Sequence, residues 1–231
     1  MEQEKNEIAV KPQQAEVVSA FTNPVMFDHL QRVGRMFAQS AIVPAAYQMK
    51  SPDDVQALAN CVIALDMANR MSVNPLMVMQ NLYNVHGNPG WSSKFLIACL
   101  NGCGKFSPLR YKYDGEPNTD EWSCRAYAID KATGEELRGA AVSIGMAKKE
   151  GWYSKSGSKW QTMPELMLQY RAAAFFQRAY APEISMGLNT AEEYTDVYGD
   201  TQSKNANKQV ETAEADVVTD EQKQAAANLF D

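Results

Sequence analysis

Phe106-Ser-Pro-Leu-Arg110-Tyr-Lys-Tyr-Asp-Gly115-Glu-Pro-Asn-Thr-Asp-Glu-Trp122-Ser-Cys-Arg125-Ala-Tyr-Ala-Ile-Asp130-Lys-Ala-Thr-Gly134-Glu-Glu-Leu-Arg138-Gly-Ala-Ala-Val-Ser143 reads as three strands, 106–113, 121–129 and 137–143. Turn-forming runs separate them, Asp114-Gly-Glu-Pro-Asn118 and Asp130-Lys-Ala-Thr-Gly134. Connections this short can join only antiparallel neighbours, so the stretch predicts a three-stranded meander. On its first strand Arg110 and Lys112 alternate onto one face, with Leu109, Tyr111 and Tyr113 on the other.

On either side of the meander the chain is helical. Asn23-Pro24, Ser51-Pro52, Asn74-Pro75 and Met163-Pro164 each place proline at a predicted helix start, where its missing N–H is harmless. Thr162 is the expected cap of the last of these. Met26, Leu30, Val33 and Phe37 mark one face of the first helix, and Val55, Leu58, Val62 and Leu65 one face of the second. A short helix after Asn74 gives way to Leu82-Tyr-Asn-Val85, a His-Gly-Asn-Pro-Gly90 turn and a helix over about 92–100. Downstream come a short helix over 144–150, a Gly/Ser/Lys loop over 151–159 and a long helix over 164–180. A last helix starts near Asn189-Thr190, with Glu192 and Glu193 suited to a capping box. Helices packed on a small antiparallel three-stranded meander make an α+β fold. The expected organisation is a disordered tail over 1–20, one core domain over 21–200 and an acidic flexible tail over 201–231.

The chain has 231 residues, 45% hydrophobic and 22% charged, the balance of a soluble globular protein. No apolar run approaches the ~20 residues of a membrane span, and the polar, acidic start excludes a secretory or mitochondrial leader. Cys61, Cys99, Cys103 and Cys124 lack a disulfide framework and read as reduced cytoplasmic thiols, and a metal site is not expected. The net charge of −6 conceals segregation: residues 91–113 carry four bases and no acids, and residues 138–178 seven bases and two acids. Screening limits each charge to ~10 Å, so a basic patch on an acidic chain still attracts polyanions.

Helix 164–180 is apolar on nearly every side, and its only charges after Glu165 are Arg171 and Arg178, two turns apart on one stripe. Two readings are open: carboxylate-paired arginines that hold the core, or phosphate clamps on a nucleic-acid strand. The loop Gly151-Trp-Tyr-Ser-Lys155-Ser-Gly-Ser-Lys159-Trp160 interleaves lysines with aromatics, the chemistry that single-stranded nucleic acid needs. Lys155 and Lys159 are candidate phosphate contacts there. Trp152 and Trp160 are candidates for base stacking or for anchoring the loop to the core. Lys94, Lys105, Arg110, Lys112 and Arg125 are candidates for one wall of a basic groove, joined by Lys148 from the second basic stretch.

Trp160-Gln-Thr-Met-Pro-Glu-Leu-Met167-Leu-Gln-Tyr-Arg171, Phe176-Gln-Arg178, Met186-Gly and Ala191-Glu-Glu193 together resemble the closing signature of the phage RecT/Bet single-strand annealing proteins. Ala68-Asn-Arg-Met-Ser-Val-Asn74-Pro75-Leu and Trp122-Ser-Cys124-Arg125-Ala-Tyr127 are similar to earlier segments of that family, in the same order, over roughly residues 50–198. Glu165 and Gln169 depart from its pattern, standing where bases are frequent. The resemblance implies ATP-independent annealing of complementary strands by an oligomeric ring or helical filament, with DNA held along a basic groove. It also implies a phage or prophage recombination protein in a bacterial cytoplasm, and DNA contacts at Arg125, Arg171 and Arg178. No cofactor is required on this reading, and magnesium enters only as a modulator.

The expected partners are single-stranded DNA, the annealed duplex intermediate, other copies of the chain, a partner exonuclease and a host single-strand-binding protein, with no membrane. Leu229 and Phe230, at the tip of a helix-prone run, are the candidate partner contacts. No hydrolase or nucleotide-binding motif occurs, so no enzymatic activity is expected. Two other classes remain open. One is a magnesium-dependent nuclease using Asp114, Glu116 or Asp130 near Lys148 or Lys149. The other is an adaptor that polymerises through a sheet edge.

Overall fold

A computed structural model describes residues 20–199. Helices α1 (Pro24–Ala38), α2 (Val55–Met71) and α3 (Pro75–Asn81) come first, then the hairpin β1 (Leu82–Val85) and β2 (Asn88–Trp91), and α4 (Ser93–Gly102). A sheet follows: β3 (Arg110–Asp114), β4 (Ser123–Ile129), β5 (Glu136–Arg138) and β6 (Val142–Ser143). It leads into α5 (Ile144–Lys149), α6 (Lys159–Thr162), α7 (Pro164–Tyr180) and α8 (Ala191–Tyr198). The fold is α+β, and no described helix is long and apolar enough to cross a membrane.

Proline marks three of the four expected helix starts. Asn23 and Asn74 accept N–H bonds from Met26 and Leu76 at 3.2 and 2.8 Å ahead of Pro24 and Pro75, and Pro164 opens α7. At Ser51-Pro52 the helix begins three residues late, because Asp54 takes the cap and accepts from Ala57 N at 3.2 Å. Thr162 caps nothing; it ends α6.

Leu82–Val85 gains a partner that the sequence pattern hides. His86 and Gly87 both have positive φ, the left-handed pair of a tight hairpin turn, and Asn88–Trp91 returns antiparallel. Pro89 and Gly90 read as turn residues yet lie in this two-stranded ribbon, where a missing N–H is tolerated. Gly90 is needed for contact: a Cβ there would sit 3.1 Å from the Ala191 backbone nitrogen of α8.

The meander's third strand is split. Tyr127 pairs with Arg138 but Cys124 pairs with Val142, so residues 125 and 126 face three residues, 139–141. That extra residue is a β-bulge. In the turn between β3 and β4, Gly115 has φ +86, and a Cβ there would lie 2.5 Å from the Glu121 carbonyl oxygen. Gly115→Ala is therefore expected to lower the melting temperature by several degrees in a thermal melt, an outcome that a freely adjusting turn would not give.

Two apolar clusters form. One joins α1, α2 and α3 through Ala38, Cys61, Leu65, Val78 and Met79; the other packs Cys124, Ala126 and Ala128 of β4 against Leu168, Ala172 and Phe176 of α7. α4 serves both, with Phe95 in the first cluster and Leu100 in the second. α8 closes the assembly by packing on the β1–β2 hairpin.

Candidate nucleic-acid interface

α7 is apolar around most of its circumference, so Arg171, only 7% exposed at its side chain, must find countercharge inside the protein. It does so on α8. Its Nη1 donates to Glu193 Oε1 at 3.1 Å and its Nη2 donates to Asp196 Oδ2. The guanidinium carbon stands 4.0 Å from the centre of the Trp152 ring. Arg178 reaches the same Glu193 oxygen, while its own side chain stays 44% exposed. Both arginines thus adopt the carboxylate-paired arrangement, and Arg171 is not presented to solvent.

The acids are fixed in turn. Thr190 and Glu193 form the expected capping box: Glu193 Oε2 accepts from Thr190 N at 3.0 Å, and Thr190 Oγ1 accepts from Glu193 N at 3.2 Å. Asp196 Oδ1 accepts the Trp160 indole N–H at 2.9 Å. Lys155 caps the other end of α8, donating to the Asp196 and Val197 carbonyls. Burial raises the Glu193 carboxyl, but the pull of Arg171 and then of Arg178 outweighs it and holds the group below its ordinary value. Burial wins at Asp196, whose carboxyl lies above its ordinary value despite Arg171.

Glu193, with its depressed folded value, stabilises the fold above the ordinary 4.5, and that stability is lost as pH falls through the folded value. Melting temperature is accordingly expected to drop below about pH 4.5, and Glu193→Gln is expected to flatten that acid limb while lowering the neutral-pH melt. An unchanged limb in the variant would assign the acid loss to other carboxylates.

Between the hairpin, the start of α4, loop 151–158, the first half of α7 and α8 lies a cleft of about 860 Å³. Lys94, Lys155 and Lys159 line it, with Tyr83 and Tyr170. Its two carboxylates, Glu192 and Asp196, are both engaged: Glu192 accepts from Ser93 N and Oγ at 3.0 and 2.8 Å, capping α4. Lys94 and Lys159 have no ionic partner among the described residues. Tyr83, 43% exposed on β1, is an aromatic that the sequence pattern does not single out, because nothing in it shows that this strand borders a cleft.

The other predicted contacts divide. Trp160 is fully buried and Trp152 nearly so, with their rings 5.6 Å apart; of the two roles open to them, base stacking or anchoring, this burial suits anchoring of the loop and leaves no face free for a base. The single groove wall is also corrected. Arg110, Lys112 and Arg125 project from the sheet face opposite α7, whereas Lys94 lines the cleft. Arg125 donates to the Gly139 carbonyl at 2.7 Å and so satisfies the bulge. Lys105 pairs with Glu183, and Lys148 with Asp120 at 2.5 Å, away from the cleft lining. Leu229 and Phe230 lie outside the described residues.

The acids of the nuclease alternative sit at turns and strand ends. Asp130 accepts from Ala132 and Thr133 N–H at 2.7 and 3.3 Å, and Asp114 pairs with Lys112 at 3.7 Å. Among the described residues no three His, Cys, Asp or Glu side chains come together as a metal-binding group. All four cysteines are free thiols, and burial pushes Cys61 and Cys99 up to about 11 and Cys124 up to about 12. No protein-family model, curated protein or solved structure matches the chain.

Proposed function

We propose that the chain binds single-stranded DNA in the 860 Å³ cleft and anneals complementary strands without ATP, working as an oligomer. The observation that carries this reading is the pair of uncompensated lysines, Lys94 and Lys159, in a cleft whose carboxylates are already engaged. Phosphates entering it meet cations without displacing an internal ion pair. Tyr83 offers a flat face for a base. The RecT/Bet-like order of motifs supports the same reading from the sequence side. Lysine contacts to the backbone leave base edges free, so pairing with the incoming strand supplies the specificity. Arg171 has a positioning role here, holding α8 as one wall of the cleft.

The test is annealing of two complementary fluorescent oligonucleotides without ATP, at two salt concentrations, with and without magnesium. Acceleration that weakens with salt and occurs without cleavage is expected. Lys94→Ser/Lys159→Ser is expected to lower the slope of log affinity against log salt by about 1.4, roughly 0.7 for each single-strand phosphate that the variant leaves unneutralised. No acceleration by the wild-type chain would overturn the reading, and magnesium-dependent cleavage would replace it with the nuclease.

A further inference from the structure

The sheet's outward face carries a second arrangement that the cleft does not use. Alternation along β3, β4 and β5 sends Tyr111, Tyr113, Cys124, Ala126 and Leu137 inward, and turns Arg110, Lys112, Arg125, Tyr127 and Arg138 outward. Strand pairing then aligns them in rows. Arg110 is directly opposite Tyr127, Tyr127 is directly opposite Arg138, and Lys112 is opposite Arg125 in the next row. One aromatic ring on the central strand is thus flanked on both sides by arginines, whose backbones stand about 10 Å apart across two strand spacings.

We infer that this row is a second site for single-stranded nucleic acid, with a base stacked on Tyr127 and phosphates taken by Arg110 and Arg138. Three features of the face point to that occupant. A flat ring between two guanidiniums suits a ligand that alternates planar and anionic groups, which an acidic peptide does not. A duplex hides its base faces, so the ring selects unpaired strands. The competing charges are weak: Asp114 pairs with Lys112 at 3.7 Å and Glu136 with Arg138 at 2.5 Å, and both the lysine and the arginine side chains are at least two-thirds exposed. Exposed pairs of this kind yield to a phosphate at little cost. Arg110 has no ionic partner among the described residues.

The second site stands apart from the cleft, which is lined by Met163, Leu166 and Tyr170, while the arginine–tyrosine row faces away from α7. It is independent of annealing: the face binds a strand whether or not the chain pairs two of them.

The test uses the full chain and a fluorescein-labelled oligothymidylate at low salt, followed by anisotropy, with ultraviolet crosslinking and peptide mapping. Tyr127→Ser is expected to weaken binding about tenfold, the loss of one stacked base, while Tyr127→Phe binds as wild type. Arg110→Ser/Arg138→Ser, at exposed positions that leave folding intact, is expected to lower the salt slope by about 1.4 in the Lys94→Ser/Lys159→Ser background as well. A crosslink should map to the peptide containing Tyr127. The inference is overturned if the arginine and Tyr127→Ser variants bind as wild type and only the cleft variant loses affinity. A chain that binds through Tyr127 but does not anneal would overturn the proposed function alone; a chain that binds no oligonucleotide would overturn both.

Discussion

Arg171→Ala is expected to destabilise the folded chain by about 3–5 kcal/mol, the cost of leaving buried carboxylates without their partner. Glu193 and Asp196 both lean on this guanidinium, and both are buried. Arg178 can hold Glu193 in its absence, but Asp196 is paired with Arg171 alone among the described arginines. Asp196, already raised by burial, would then favour its protonated form and loosen the hold of α8 on α7. Chemical denaturation reads the loss as a fall in midpoint without a change in slope. Arg178→Ala provides the contrast: its side chain is 44% exposed, and the variant is expected to stay within about 1 kcal/mol of wild type. If Arg171 were instead a phosphate clamp, Arg171→Ala would bind DNA poorly while melting normally.

Trp160→Ala is expected to be comparably damaging, by about 3–5 kcal/mol, through the cavity it opens. The indole is fully buried, packs against Trp152 and donates its N–H to Asp196. Trp160→Phe keeps most of the volume and removes the donor, so the difference between the two variants separates the cavity from the hydrogen bond, the latter at about 1–3 kcal/mol for a charged acceptor. Intrinsic fluorescence during denaturant unfolding follows both. A Trp160→Ala chain with wild-type stability and weakened oligonucleotide binding would return the residue to base stacking.

Local signals are legible in the sequence and distant ones are not. Asn-Pro at two helix starts, the capping box at Thr190 and the strand–turn alternation through the meander each act within a few residues, and the fold class follows from them. Pro89-Gly90 obscures the return strand of the hairpin, because those residues signal a turn, and what lets them lie in a strand is that the ribbon has only two strands and needs no N–H from Pro89. The bulge at 139–141 is invisible for a different reason: an extra residue changes which partner each residue meets, and composition carries no trace of that. In the site, the lysine-rich loop is readable as a candidate contact, but whether its tryptophans face water depends on Asp196, 36 residues downstream of Trp160. One signal does exist for Arg171. A helix apolar on nearly every side leaves its arginine no route to solvent, and Glu192-Glu193 is the nearest acidic pair that follows.

The pairing of α7 with α8 also has a consequence for the timing of synthesis. Arg171 leaves the ribosome before its partners, which lie 22 and 25 residues later in the chain. At about 5–20 residues per second that is a wait of roughly one to five seconds. Throughout it the guanidinium lacks these carboxylates to bury against, so this face of α7 stays in water although the sheet beneath the helix is already made. Among the described elements the cleft is therefore the last to take shape, and a chain that stalls between Arg178 and Glu193 leaves without countercharge the Arg171 guanidinium that the finished fold buries.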